Sequence, residues 1–212
     1  MTPLVPEGVR QYAPATDRNR DPILAVLQRV LPSAGTVLEV SSGTGQHAAY
    51  FAPRLTPRYW LPSDFNPAAL RSIAAWRQAA PCRTLLPPID LDAEASLWPV
   101  EMGDTLPSPI AAIVNINMLH VAPWSVGLGL LAGAGRILPP GGMLYLYGPF
   151  IVDGAMTPSN ANFDHMLRQR NPAWGIRALE DVLAAAQPHG LALAEQIAMP
   201  ANNLSLVLVR GS

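Results

Sequence analysis

Apolar residues recur along the chain in short runs whose spacing switches between helix and strand periods. Ile23, Leu24, Leu27, Val30 and Leu31 share one face at helical spacing, which predicts a helix over about 18–31. Thr16 or Asp17 would cap it and Pro32 would end it. Residues 36–40 read as a short apolar strand, 41–45 as a glycine-rich turn, and 46–53 as a helix. A second strand over 59–64 leads to an alanine-rich helix that Pro67 opens and that runs to about residue 80. A third strand is predicted near 84–91, and the β-branched run 110–117 is the best buried strand. A helix over 124–138 leads into a strand over 142–147. Residues 151–175 are polar and read as irregular, with one short helix at most around 162–170. After a helix over 178–187, strands over 191–198 and 204–209 close the chain across a short turn.

Alternating strands and helices predict a parallel sheet covered by helices on both faces. The last two strands, joined so tightly, must pair antiparallel. The expected fold class is therefore α/β: a doubly wound, mostly parallel sheet with a C-terminal antiparallel hairpin. No internal repeat or linker divides the chain, so residues 1–212 are expected to form one domain, with an irregular arm over 1–15.

Composition narrows the function. Half of the 212 residues are apolar, and charged residues are 14%, against about 25% in soluble domains. The net charge is −1, with no lysine and 23 prolines. Disorder needs low hydrophobicity and high net charge, and neither is present. A near-neutral chain has no general attraction to nucleic acid. A single cysteine excludes an internal disulfide framework. The longest candidate membrane segment, 126–138, falls well short of about 20 apolar residues. No secretory signal is visible in the first 30 residues. A soluble, cytoplasmic protein is the expectation. His47, His120, His165 and His189 show no paired ligand spacing, so no metal site is expected.

The first strand and its turn carry the strongest chemical signal: Glu39-Val40-Ser41-Ser42-Gly43-Thr44-Gly45. Ligands on such sheets bind beyond the carboxyl ends of the strands, where glycine lets backbone approach ligand. Gly43-x-Gly45-x-x-Ala48 also fits a dinucleotide fingerprint, and two glycines serve a tight turn alone equally well. Glu39 changes the balance, because a carboxylate inside an apolar strand needs a cationic or hydrogen-bonding partner. A pyrophosphate would be repelled, whereas the amino group of S-adenosylmethionine would be attracted. A structural salt bridge to an arginine is the alternative.

Asp64 ends the second strand, where an acid accepts hydrogen bonds from ribose hydroxyls of either nucleotide. It would also serve as a helix cap, although Asn66 is the better one, and Phe65 would lie along the adenine or ribose. Leu91 and Asp92, with Asp90 second, are candidates for the adenine, and a solvated loop acid is the alternative for either aspartate. Asn115, Asn117 and His120 follow the most buried strand and are placed to meet cofactor and substrate, although polar residues at a strand's end are also ordinary loop entry. His120, with an ordinary pKa of about 6.5, is a candidate general base or a structural histidine.

Several segments together resemble one family: 15–24 (Ala-Thr-Asp-Arg-Asn-Arg-Asp-Pro-Ile-Leu), 38–47 (Leu-Glu-Val-Ser-Ser-Gly-Thr-Gly-Gln-His) and Trp60-Leu61-Pro62-Ser63-Asp64. Leu91-Asp92 with Trp98-Pro99, 115–120 with Trp124, Gly148-Pro149-Phe150, Asn160 to Asp164, 167–172 and Trp174-Gly175 continue it. The chain resembles the uncharacterised class I S-adenosylmethionine-dependent methyltransferase family that includes methyltransferase-like protein 26, over about 10–210. Ser41 stands where the family motif usually has a first glycine. The resemblance implies a seven-stranded Rossmann-like methyltransferase fold, with Glu39, Ser41, Gly43, Gly45, Asp64 and Asp92 around S-adenosylmethionine and S-adenosylhomocysteine as product. It also implies that Arg18 and Asn19, in the helix of residues 1–35, close over the methionine carboxylate, and that 151–175 form a substrate-side lid. Asn160, Asn162, Asp164, Arg168 and Arg170 would then contact substrate or brace the lid. His120, Tyr147 or Asp164 would serve a neutral acceptor as base, and Arg168 and Arg170 an anionic one. A small-molecule acceptor is expected. A non-catalytic binder of the same cofactor and an NAD-dependent oxidoreductase are the rivals.

Overall fold

Pro14 decides where the first helix begins. The computed structural model describes residues 9–80, 82–103 and 106–212. They fall into two compact units, one of described residues from 9 to 92 with 99–112 and one of 93–98 with 113–212; residues 1–8 of the expected arm lie outside the described residues. In the first unit, α1 (Pro14–Val30) starts earlier than predicted, and neither Thr16 nor Asp17 caps it. Proline suits the first helical position because its missing N–H is not needed there. The Ala13 amide just ahead donates to the Gln46 side chain. Thr16 is buried, and Asp17 pairs with Arg20 one turn on.

β1 (Thr36–Val40) is buried throughout and leads to α2 (Gln46–Phe51), which tightens into a 3-10 turn over Ala52–Arg54. β2 (Tyr59–Asp64) runs parallel to β1, with Glu39 opposite Pro62. Asn66 caps α3 (Pro67–Ala79), as expected, by accepting from the Ala68 amide at 2.8 Å. The third strand is much shorter than predicted: β3 is Ile89–Asp90, paired with Ser63 and Asp64. Leu85 makes one isolated bridge with Trp60. Pro87 and Pro88 then withhold two backbone donors, so the ladder cannot run continuously.

β4 (Ile110–Ile116) contributes residues to both units. In the second unit, α4 (Trp124–Ile137) packs on Trp98 so closely that a Cβ at Gly133 would lie 2.0 Å from the indole. β5 (Met143–Gly148) is fully buried, and β6 (Phe150–Ile151) follows it. The segment read as irregular holds a full helix, α5 (Pro158–Arg170), whose Thr157 cap accepts from the Asn160 amide. Thr-Pro is a strong helix start, and the asparagines that read as loop sit inside the helix. β7 (Arg177–Ala178) pairs with β6 in a small parallel sheet that was not predicted. α6 (Leu179–Ala186) leads into the hairpin of β8 (Leu191–Met199) and β9 (Asn203–Arg210).

The main sheet has seven strands in the order β3-β2-β1-β4-β5-β9-β8. β1, β2 and β3 are parallel neighbours, and β9 is antiparallel to both β5 and β8. This is the predicted α/β fold, mostly parallel with a C-terminal antiparallel hairpin. Phe51, Trp60 and Leu38 anchor the first core, and Trp98, Tyr145 and Ile113 the second. Each such buried side chain contributes about 1.5–3 kcal/mol. No helix of the described residues is long and apolar enough to cross a membrane.

Candidate functional site

In the first unit, β1 ends in a turn that leaves ordinary backbone space. Ser41, Gly43 and Gly45 have φ of 59°, 56° and 86°, a region that costs an L side chain about 1–2 kcal/mol. Gly45 has a second constraint, since a Cβ there would sit 2.6 Å from the Ile73 Cα on α3. Gly43 has open space beyond it, with nothing within 4 Å of such a Cβ. The turn is fastened to the end of β2. The Ser42 amide donates to the Ser63 carbonyl at 2.8 Å, and the Gly43 amide donates to Asp64 Oδ2 at 2.9 Å. The other Asp64 oxygen accepts from the Asn66 amide at 2.9 Å. Phe65, beside it, is 64% exposed. Leu91 is buried and donates its amide to the Asp64 carbonyl at 3.1 Å, while Asp92 is exposed.

Glu39 lies beneath this turn, 2% exposed. Its Oε2 accepts from Trp60 Nε1 at 3.0 Å and from Ser42 Oγ at 2.9 Å. Burial pushes its carboxyl up to about 7, against the pull of those two donors and with a further rise from Asp64. Among the described residues no arginine pairs with it. The structural salt bridge weighed from the sequence is therefore replaced by an indole and a hydroxyl. Neither Trp60 nor Ser42 carries a sequence signal beyond its place beside the motif.

α1 brings Asn19 to the same unit, where its Oδ1 accepts from His47 Nε2 at 2.8 Å. His47 is buried and stacks on Phe51. Burial, helped by the Arg20 charge, lowers its pKa to about 4, so it is neutral near pH 7. Sequence reasoning noted His47 in the motif without giving it this role. Arg18 points to solvent. Arg20, the second arginine of the same Arg-Asn-Arg run, pairs with Asp17 and lies over the Tyr50 ring.

The second unit holds the other candidates. Asn115 is 1% exposed on β4. Asn117 turns out of that strand at φ 65° and donates its amide to the Tyr147 carbonyl at 2.8 Å. Tyr147 is buried on β5. His120 is 6% exposed, and its ring meets Phe163 edge-on at 5.5 Å. Its pKa is lowered to about 4 by burial and then by the Arg177 charge. The convenient pKa expected of a general base is thus absent, because the ring is held in a place that disfavours its charged form.

Asp164 is also committed. Its Oδ2 pairs with Arg168 at 2.7 Å, and its Oδ1 accepts from the Ile176 amide at 2.7 Å. Partial burial raises its carboxyl, but the Arg168 hydrogen bond, the Ile176 amide and the charges of Arg168 and Arg177 outweigh this and hold it below the usual range. Arg168 is exposed and neutralised by that pair, and Asn162 and Arg170 are exposed. The residues that α5 buries are Asn160 and Leu167. Arg177 had no sequence signal, yet it organises this region. Its guanidinium donates to the carbonyls of Leu119, Ala122 and Ala173 at 3.1, 2.8 and 2.8 Å, and the Gly175 amide donates to the His120 carbonyl.

Solved structures share this architecture. An O-methyltransferase family protein from Burkholderia thailandensis matches with a TM-score of 0.74 at 18% identity, over 93% of this chain and 58% of its own. An O-methyltransferase family 2 protein from Planctomyces limnophilus DSM 3776, in complex with apigenin, gives 0.72 at 18% identity, over 92% and 59%. Human N-acetylserotonin methyltransferase, in complex with SAM, gives 0.70 at 13% identity, over 93% and 53%. The chain spans little more than half the length of these three, and the likeness is one of fold. Residues 10–210 match the family described as "Protein of unknown function (DUF938)", and the chain belongs to that family.

Proposed function

We propose that the chain is an S-adenosylmethionine-dependent methyltransferase with a small-molecule acceptor. The observation that carries this reading is a pair of carboxyl groups, Glu39 and Asp64, fastened to one glycine turn. Such a turn favours a ligand with a cationic amino group and ribose hydroxyls. It disfavours a pyrophosphate, which an NAD-dependent oxidoreductase would bring against Asp64, whereas a bound ammonium would favour the ionised form of Glu39, whose carboxyl burial holds at about 7. The residues fit the cofactor at the turn itself, because Gly43 faces open space where a side chain would stand in the way.

Glu39 would meet the amino group through the turn, and Asp64 would accept from the ribose while keeping its two backbone donors. Phe65 offers an exposed ring to the nucleoside, Leu91 and Asp92 serve the adenine, and Ser41, Gly45, Arg18, Asn19, Asn115 and Asn117 keep the cofactor roles that the sequence suggests. When bound, S-adenosylmethionine supplies an electrophilic methyl group on a sulfonium. Neither His120, lowered to about 4, nor Asp164, with both oxygens engaged, is set up as a strong base near pH 7. The chain's contribution is therefore positioning and exclusion of water, which can supply much of a methyl-transfer barrier. Residues 151–175 act as the substrate-side lid, braced by Arg177 and by the Asp164–Arg168 pair.

The same engaged side chains favour a second reading, a non-catalytic binder of this cofactor. Calorimetric titration with S-adenosylmethionine and NAD tests the first reading: NAD binding without S-adenosylmethionine binding sinks it. Transfer of labelled methyl to any compound of a metabolite extract removes the second.

A further inference from the structure

Within the second unit, a cavity of roughly 430 Å³ lies between the start of α5 and the β8–β9 turn. Pro149 and Phe163 form its apolar side; Ser159, Asn160 and the turn residues 201–203 form its polar side. Among the described residues no charged side chain lines it. The polar side is held by amide donors. Asn160 Nδ2 donates to the Asn202 carbonyl at 3.0 Å, Asn202 Nδ2 to Ser159 Oγ at 3.0 Å, and Asn203 Nδ2 to the Pro200 carbonyl at 3.1 Å. These bonds consume N–H groups and leave the Asn160 amide oxygen without a donor from any described residue. Yet Asn160 is only 7% exposed. The oxygen itself is not closed off, since among the described residues the buried side-chain atom that lacks a partner is Arg20 Nε; Asn160 lines the cavity, and its oxygen is free to accept from a molecule there.

Phe163 ties this space to the candidate site, since the ring that walls the cavity also meets His120. We propose that the cavity is the acceptor pocket and that it takes an uncharged one- or two-ring molecule whose O–H or N–H donates to the Asn160 amide oxygen. Phe163 and Pro149 cover the flat apolar body, and the volume lies at the lower end of the range of about 300–1,000 Å³ for ligand pockets. An anionic acceptor is disfavoured, because Arg168 is paired with Asp164 and Arg170 is exposed, and neither lines the space. The inference rests on the methyltransferase reading only in naming the ligand an acceptor.

Three probes separate the terms by binding measurements at neutral pH: 2-naphthol (neutral, with a donor), 2-methoxynaphthalene (neutral, without one) and 2-naphthoate (anionic). The wild type should bind 2-naphthol about tenfold tighter than either of the others, the effect of one satisfied hydrogen bond. Asn160→Leu should erase the preference for 2-naphthol over 2-methoxynaphthalene. Because that variant also releases the hairpin turn, Ser159→Phe provides an independent arm: it fills the cavity from an exposed position and should weaken 2-naphthol at least tenfold. Equal affinity for all three probes, or undiminished 2-naphthol binding by Ser159→Phe, overturns the proposal. A parallel titration of the wild type with S-adenosylmethionine separates the two readings. The expected naphthol pattern without S-adenosylmethionine binding keeps the pocket and removes the methyltransferase. The reverse result removes the pocket alone.

Discussion

Gly43 and Gly45 lie two positions apart in one turn, and the structure predicts opposite consequences for replacing them. Both have positive φ, at 56° and 86°, so an alanine at either costs about 1–2 kcal/mol in backbone strain. Either substitution also restricts the unfolded chain by a similar amount, so that contribution cancels in the comparison. Their surroundings differ. The new Cβ at Gly43 meets nothing within 4 Å, whereas at Gly45 it falls 2.6 Å from the Ile73 Cα. That contact is about 1 Å inside the ordinary separation of ~3.5–4.0 Å, and it is with helix backbone, which cannot rotate away. Overpacking of this kind adds about 1–3 kcal/mol. We predict that Gly45→Ala loses about 2–5 kcal/mol of stability and Gly43→Ala about 1–2 kcal/mol. Urea denaturation of the two variants and the wild type, with comparable m-values, measures the difference. The ligand effect runs the other way. Gly43→Ala, still folded, should bind S-adenosylmethionine at least about tenfold more weakly because its methyl enters the open space over the turn. Stability losses equal within about 0.5 kcal/mol, or a milder loss at Gly45, would refute the close-approach argument. Unchanged S-adenosylmethionine affinity in Gly43→Ala would refute the cofactor placement.

Further predictions concern single groups. His47 and His120, lowered from 6.5 to about 4, leave the unfolded chain holding extra protons, so their contribution falls as pH drops from 6.5 toward 4. Glu39, raised from 4.5 to about 7, makes the folded chain hold one, so its contribution falls as pH rises from 4.5 through 7. Between pH 4.5 and 6.5 the net is one proton, and stability should rise by about 1.4 kcal/mol per pH unit; in Glu39→Gln the slope should double, and an unchanged slope in denaturation midpoints against pH would show that Glu39 is not held protonated. Ser41→Gly should gain about 0.5–1 kcal/mol, because Ser41 sits at φ 59° where its side chain is penalised; a loss of thermal stability would instead mean that the Ser41 side chain is holding the turn. Asn66→Ala should cost about 1 kcal/mol through the lost cap of α3, and a denaturation midpoint matching wild type would contradict that.

What was legible in the sequence followed from rules that act locally. The β1 strand, its glycine turn and the Asn66 cap are each specified by residues within a few positions, and the structure forms them as expected. The shortening of β3 is also local, since Pro87 and Pro88 stand inside the apolar segment and remove the donors a longer strand needs. The parallel pairing of β6 with β7 was not legible, because each is two residues long and joins segments some 27 positions apart, Phe150 with Arg177.

The site residues divide along a similar line. A strand end announces its polar side chains by breaking an apolar run, so Glu39, Asp64, Asn115 and Asn117 stand out. Helix α5 gives no such contrast, because it is polar on most of its circumference. Asn160, Phe163 and Leu167, spaced three and four apart, share the side that closes on the protein, while Asn162 and Arg170 are exposed. Asparagine and arginine are conspicuous residue types, so Asn162, Arg168 and Arg170 stand out in the sequence although α5 leaves all three exposed. Charge state is harder still to read. His120 and His47 look like titratable groups near neutrality, and burial removes that property from both. The desolvation that neutralises them also holds a proton on Glu39, so both effects follow from packing around these side chains rather than from their neighbours in sequence.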